Sequence, residues 1–232
     1  MIDVMFKTMD EVRAKRRTHK MRRNEEGQLL HSFPELMNRK QQLDKIAEEY
    51  ATLHAAYTRG VSDTLNAVSL RQVALLALLV RTRPISRVLD TGSGFSSLVL
   101  SKEAKCKPNV IHFAVEDNEF WRGRTKEFLH ANDLPTENLI SWKTFQADKA
   151  LRGFDLVFHD LGNMTTRILS LSEIESRLSA NGWLILDDMH KPSYCPHALR
   201  LLGEGWMVQS LVDLTLDEVG RFAYICRRNA RP

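Results

Sequence analysis

Beyond about residue 83 the sequence predicts an α/β fold built on a mainly parallel sheet. Short apolar runs alternate with longer segments of helical periodicity, the pattern of successive βαβ units. A glycine-rich turn follows the first run directly and opens a helix, a junction at which open α/β sheets bind ligands. The last two runs are joined by too few residues for a helical crossover, so that pair is expected to be antiparallel.

The elements follow in order from the N-terminus. Residues 1–82 lack strong strand signals and are expected to form a helical extension, with residues 83–232 as the sheet domain. Residues 1–27 are charged and arginine-rich, with a weak apolar stripe at Val4, Met5, Met9 and Val12. Ser32, followed by Pro34 and Glu35, reads as a helix N-cap. Leu36, Leu43, Ile46, Tyr50 and Leu53 form one face of a helix running from there to about residue 58, where Arg59-Gly60 ends it. Ser69 caps a second helix, 70–81, apolar nearly all round, as in a helix buried against a sheet. Strands are predicted at 85–89, 110–115, 139–145, 154–159, 183–186, 206–212 and 221–227. Helices are predicted at 96–104, 118–132, 165–180 and 197–203, with a short helical segment near Asp148.

Composition excludes some classes. The longest apolar run, 73–80, is far short of the ~20 residues that span a bilayer, and no secretory signal pattern opens the chain. Cys106, Cys195 and Cys226 are widely spaced with no CxxC, which predicts a reduced, cytoplasmic protein. The net charge of +4 is unevenly placed, because Arg13, Lys15, Arg16, Arg17, Lys20, Arg22 and Arg23 cluster without an acid between them. Such a cluster suits nucleic acid or an anionic surface, or is a solvated helix face; no aromatic residues interleave to stack on bases.

The segment DTGSGFSS, Asp90 to Ser97, carries the chemistry. Gly92 and Gly94 allow a tight turn and close approach of the backbone to a ligand. The helix that follows turns its free amides to the same place. A dinucleotide fingerprint would have a third glycine where Ser97 stands. Asp90, directly before the turn, would repel a pyrophosphate but suits a ligand bearing an ammonium and a sulfonium. S-adenosylmethionine (SAM) carries both. Glu116, ending the second strand, can accept hydrogen bonds from both hydroxyls of a ribose. Asp148, after the third strand, is placed to reach an adenine amino group, or is a helix cap.

RVLDTGSGFSS resembles the first motif of the class I SAM-dependent methyltransferases, and FAVED their second. FDLVFHD resembles the fourth motif and NGWLILDD the fifth, in the expected order and spacing over residues 85–227. The resemblance implies a Rossmann-like, seven-stranded sheet, mainly parallel with an antiparallel last strand, after the N-terminal helices. It assigns to SAM the residues Asp90, Thr91, Gly92, Gly94, Ser96, Ser97, Glu116, Asp117, Asp148 and Asp160.

Asp160 follows the fourth strand, and Asp187 and Asp188 the fifth. Carboxylates converging at one sheet edge repel unless a cation neutralises them, and oxygen ligands favour Mg²⁺, Ca²⁺ or Mn²⁺. These segments resemble metal-dependent O-methyltransferases of the catechol and macrocin-like sugar types, which implies Asp160, Asp187 and Asp188 as ligands of a divalent cation. The alternative is a loop-capping role without metal. The catechol type has a lysine base three residues after the first aspartate, where this chain has Asn163, and LGNMTTR also departs from the sugar type. His190 and Lys191 are the candidate general bases, histidine by its ordinary pKa and lysine if desolvated; a polar surface role is the alternative for His190. His159 should face away from the site, since side chains alternate along a strand. The expected activity is O-methylation of a small hydroxylated molecule, a glycan or natural product, with a homodimer as one role for the N-terminal helices. Alternatives are an RNA or nucleotide methyltransferase using the basic segment, a non-catalytic SAM-binding module, and a dinucleotide oxidoreductase, which Asp90 disfavours.

Overall fold

A computed structural model describes residues 32–229. The predicted basic cluster, Arg13 to Arg23, lies outside the described residues. Seven strands form one sheet in the order β3-β2-β1-β4-β5-β7-β6. They are β1 (Arg87–Thr91), β2 (Ile111–Glu116), β3 (Leu139–Ser141), β4 (Phe154–His159), β5 (Leu178–Leu186), β6 (Trp206–Ser210) and β7 (Tyr224–Arg228). Strands β3, β2, β1, β4 and β5 pair in parallel, and β7 runs antiparallel to both β5 and β6. The last two strands are antiparallel as the sequence predicts, although their connection, 211–223, is longer than expected and carries a short helix.

The helices are α1 (Lys40–Gly60), α2 (Leu70–Thr82), α3 (Phe95–Lys105), α4 (Glu119–His130), α5 (Trp142–Ala147), α6 (Met164–Arg177), α7 (Cys195–Leu202) and α8 (Val212–Thr215). Alternation along the strands divides the core in two. Val88, Leu156, Phe158, Trp183 and Ile185 face the α1, α2 and α3 side. Leu89, Val157, Leu184 and Leu186 face α6 and α7. Every residue of α2 from Gln72 to Val80 is buried, as its all-round apolar sequence requires, and Ser69 caps it by accepting the Gln72 amide. Among the described residues no helix is long and apolar enough to cross a membrane.

Several elements differ from expectation: β5 starts at Leu178, inside the predicted helix 165–180, and the predicted strand 206–212 stops at Ser210, with α8 taking up Val212. The single helix over 32–58 is a 3-10 turn, Pro34–Leu36, then a break, then α1. Ser32 does not cap it; Phe33 holds that position. Met37 is extended and Asn38 has φ 57, a left-handed conformation asparagine tolerates. The break lets Phe33 pack edge-on against Trp183, with ring centroids 5.5 Å apart, while α1 buries Leu43, Ile46 and Tyr50. The predicted strand 139–145 is only Leu139–Ser141, because the Ser141 hydroxyl accepts the Thr144 amide and starts α5. Capping chemistry prevails there over an apolar run.

Candidate functional site

The sheet order reverses between β1 and β4, since β2 and β3 lie beyond one and β5 beyond the other. At such a switch point the connections leave in opposite directions and open a crevice at the carboxyl ends. Register places Thr91 beside His159, and His159 beside Leu186. The residues that follow all three strands therefore emerge side by side.

Gly92 makes the crossing compact. Its φ is 92°, and a Cβ there would stand 2.2 Å from the Asp160 carbonyl oxygen. Only glycine lets the turn after β1 lie on the loop after β4. A Cβ on Gly94 would meet the Tyr57 hydroxyl at 3.0 Å. Tyr57, on the buried face of α1 with Leu43, Ile46 and Tyr50, thus overhangs the turn. It makes no hydrogen bond through its hydroxyl among the described residues, and its ring packs on Phe95 and Phe128.

Asp90 is fully buried. Ser97 Oγ donates to its Oδ2 at 2.6 Å and Ser96 Oγ at 3.0 Å, so the first turn of α3 fixes the carboxylate. Its Oδ1 is buried without a hydrogen-bond partner among the described residues. Burial pushes Asp90 up to about 7, against the two serine hydrogen bonds. An orphaned carboxylate oxygen below a glycine turn and a helix N-terminus fits a cationic group with an anionic neighbour, as the amino-acid end of SAM provides.

Glu116 at the end of β2 accepts the Ser93 amide at 2.8 Å and the Asn118 amide at 2.9 Å. Oε2 also accepts from the Ser93 hydroxyl at 3.1 Å, while Oε1 keeps acceptor capacity for a ribose hydroxyl. Burial also raises this carboxyl to about 7, and the backbone amides oppose the rise. Asp117 is exposed, and its carboxylate closes on Gly162, where a Cβ would stand 2.7 Å from Oδ2. The Thr91 hydroxyl is turned inward, 2.7 Å from His159 Nδ1. His159 Nε2 lies 3.1 Å from the Arg167 carbonyl oxygen, and burial lowers this histidine to about 4, so it is a neutral structural residue. Asp148 is exposed at the C-terminal end of α5, where its carboxylate accepts the Ala150 amide and closes a turn.

Asp160, Asp187 and Asp188 do converge, but the cation between them comes from the chain. Arg167, 6% exposed in the first turn of α6, donates to Asp188 Oδ2 at 2.7 Å and pairs with Asp160. Lys191 Nζ adds 2.6 Å to the same Asp188 oxygen, and Asp187 Oδ1 accepts the Asp188 amide at 2.7 Å. Burial, with Asp187 and Asp188 beside it, raises the Asp160 carboxyl well above its ordinary range against the pull of Arg167. Burial and Asp188 push Asp187 up to about 6. Burial acts the same way on Asp188, but Arg167 and Lys191 outweigh it and hold that carboxyl low. Among the described residues no group of three acid, histidine or cysteine side chains is arranged to hold a metal ion. The acids are gathered as expected, yet Asp160 and Asp188 already share a guanidinium and Asp187 turns one oxygen to a backbone amide, an arrangement that does not fit a divalent ion.

His190 Nδ1 lies 3.6 Å from Asp188 Oδ1, and burial lowers this histidine's pKa although Asp188 opposes it. Asn163, standing where the catechol type has lysine, caps α6 by accepting the Thr166 amide at 3.0 Å. Sequence reasoning missed Arg167 and Tyr57; Tyr194, an aromatic residue the sequence offers for a pocket wall or the core, has its hydroxyl buried without a partner among the described residues. Arg167 had a signal, because it shares a helical stripe with the buried Leu171 and Ile174. A charge on an apolar face asks for a buried partner.

No protein-family model matches the chain, and no curated protein matches it by sequence. Solved structures do match in fold. The O-methyltransferase TomG from Streptomyces achromogenes, involved in tomaymycin synthesis and in complex with SAM, is 17% identical with a TM-score of 0.57. That match covers 82% of this chain and 90% of TomG. An O-methyltransferase from Bacillus cereus in complex with SAH is 14% identical, with a TM-score of 0.58 over 78% of this chain and 89% of that one. A SAM-dependent O-methyltransferase from Thermotoga maritima is 16% identical, with a TM-score of 0.56 over 72% and 68%. The sheet order, the antiparallel β7 and these neighbours together show that the chain has the fold of the class I SAM-dependent methyltransferases.

Proposed function

We propose that this protein transfers a methyl group from SAM to a hydroxyl of a small acceptor, a glycan or natural product. The observation that carries the reading is the buried, half-satisfied carboxylate of Asp90 beneath the glycine turn, with Glu116 on the neighbouring strand. The neighbours' names as O-methyltransferases support the choice of oxygen as nucleophile.

When bound, SAM supplies a methyl group already activated by its sulfonium. The chain must then position two partners and manage one proton. Asp90 would hold the ammonium with its free oxygen, the first amides of α3 the carboxylate, and Glu116 the ribose. Of the two candidate bases, His190 is the better suited. Lys191 is engaged by Asp188, whereas burial keeps His190 neutral and ready to accept a proton. Asp188 Oδ1, 3.6 Å from Nδ1 and beyond hydrogen-bond distance, would stabilise by its charge the imidazolium formed when His190 takes the acceptor's proton. Helix α1, whose Tyr57 overhangs the turn, would shape the acceptor pocket.

The test is incubation of the full chain with methyl-labelled SAM and a panel of polyhydroxylated small molecules. Formation of S-adenosylhomocysteine with labelled ether product supports the reading, and His190→Ala should lower the rate about 100-fold or more. Labelling of RNA with none of the small acceptors would contradict it.

A further inference from the structure

Three acids come from the ends of two neighbouring strands, Asp160 after β4 and Asp187 and Asp188 after β5. Their mutual repulsion requires positive charge nearby. Arg167 provides it from the first turn of α6, buried, with a different guanidinium nitrogen on each of two acids: Nη1 on Asp188 Oδ2 at 2.7 Å and Nη2 on Asp160. Nη2 also approaches the Gly162 carbonyl oxygen at 3.4 Å, which fixes the loop between β4 and α6. Lys191 Nζ is a second cation on Asp188, at 2.6 Å.

A hard divalent cation needs six or more oxygen ligands with free lone pairs around it. Here the guanidinium is wedged between Asp160 and Asp188, and Asp187 turns one oxygen to a backbone amide. A metal entering that space would meet a like charge that cannot be discharged, since arginine keeps its proton in proteins. The planar fork also spans two carboxylates in a way a lysine could not.

We infer that Arg167 is the permanent cation of this site, occupying the place of the divalent ion, so that the site works independently of metal. As a positioning residue it ties the β4 and β5 ends together, which sets Asp160 against Gly92 and Asp188 against His190. Its consequence for methyl transfer rests on the function proposed above; its consequence for metal binding does not.

The test is titration of the full chain with Mn²⁺, read as loss of the free-ion electron paramagnetic resonance signal, in parallel with melting temperature in the presence of chelator. The wild-type protein should leave the Mn²⁺ signal unchanged, and chelator should alter neither its melting temperature nor any SAM-induced rise. Arg167→Met uncovers the acids and should gain Mn²⁺ affinity by about tenfold or more, with a Mn²⁺-dependent rise in melting temperature. Stoichiometric Mn²⁺ uptake by the wild type overturns the inference, as does a folded Arg167→Met protein that takes up none. If Arg167→Met does not fold, the wild-type titration decides alone. Failure of SAM to stabilise the wild type would count against the methyltransferase reading and leave the Mn²⁺ result standing.

Discussion

Replacing Gly92 with alanine would place a Cβ 2.2 Å from the Asp160 carbonyl oxygen and 2.6 Å from its carbonyl carbon, at a residue whose φ is 92°. The left-handed conformation costs an L-residue about 1–2 kcal/mol. Overpacking against backbone, which cannot swing aside as a side chain can, adds about 1–3 kcal/mol. The sum, roughly 2–5 kcal/mol, is a large part of the stability of an ordinary domain. Gly220 is the internal control: its φ is 89°, but nothing lies within 4 Å of its Cβ position. Gly220→Ala should therefore cost only about 1–2 kcal/mol, the conformational part. Urea denaturation of both variants at unchanged m-value measures the difference. The relaxation that accommodates the methyl group must push the β1 turn off the β4 loop, so SAM-induced stabilisation should be lost in Gly92→Ala and kept in Gly220→Ala. Equal destabilisation of the two variants, with SAM binding intact in both, would refute the packing argument.

Two further outcomes follow from the same geometry. Glu103 receives hydrogen bonds from Tyr50 Oη at 2.7 Å and from Arg81 at 2.7 and 2.9 Å, locking α1, α2 and α3 together. Glu103→Ala leaves these donors stranded and should cost about 2–3 kcal/mol in denaturant unfolding; a loss under about 0.5 kcal/mol would show the network to be incidental. Burial raises Asp90 and Glu116 each to about 7, and both are proposed to hold SAM as carboxylates. Protons therefore compete with the cofactor below that pH, and affinity measured by calorimetry should fall from pH 8 to pH 6, approaching about tenfold per pH unit for each group. Asp90→Asn should weaken binding and flatten the profile, and an unchanged profile would remove Asp90 from the cofactor site.

Much of this arrangement was legible because local chemistry and global fold agree. In β1, the turn and α3, an apolar run, two glycines and two serines each ask for what the sheet edge also needs. β4 begins and ends where its apolar pattern does. Agreement fails where a local cap competes with a pattern: Ser141 starts a helix inside an apparent strand, and Asn38 breaks an apparent helix so that Phe33 can reach Trp183. The convergence of Asp160, Asp187 and Asp188 was readable from strand ends, but the identity of their counter-charge was not. Arg167 is 21 residues from Asp188 in sequence, and only the packing of α6 on β4 and β5 brings them together. The overhang of Tyr57 on the glycine turn was hidden for the same reason, because it depends on how α1 docks.

The proposed reaction requires SAM to bind in the crevice between β1 and β4. The most direct measurement is calorimetric titration of the full chain with SAM, S-adenosylhomocysteine and NAD, repeated on Asp90→Asn. SAM and S-adenosylhomocysteine should bind at one site per chain, with most of that affinity lost in the variant and no heat with NAD. Binding of NAD without binding of SAM would contradict it.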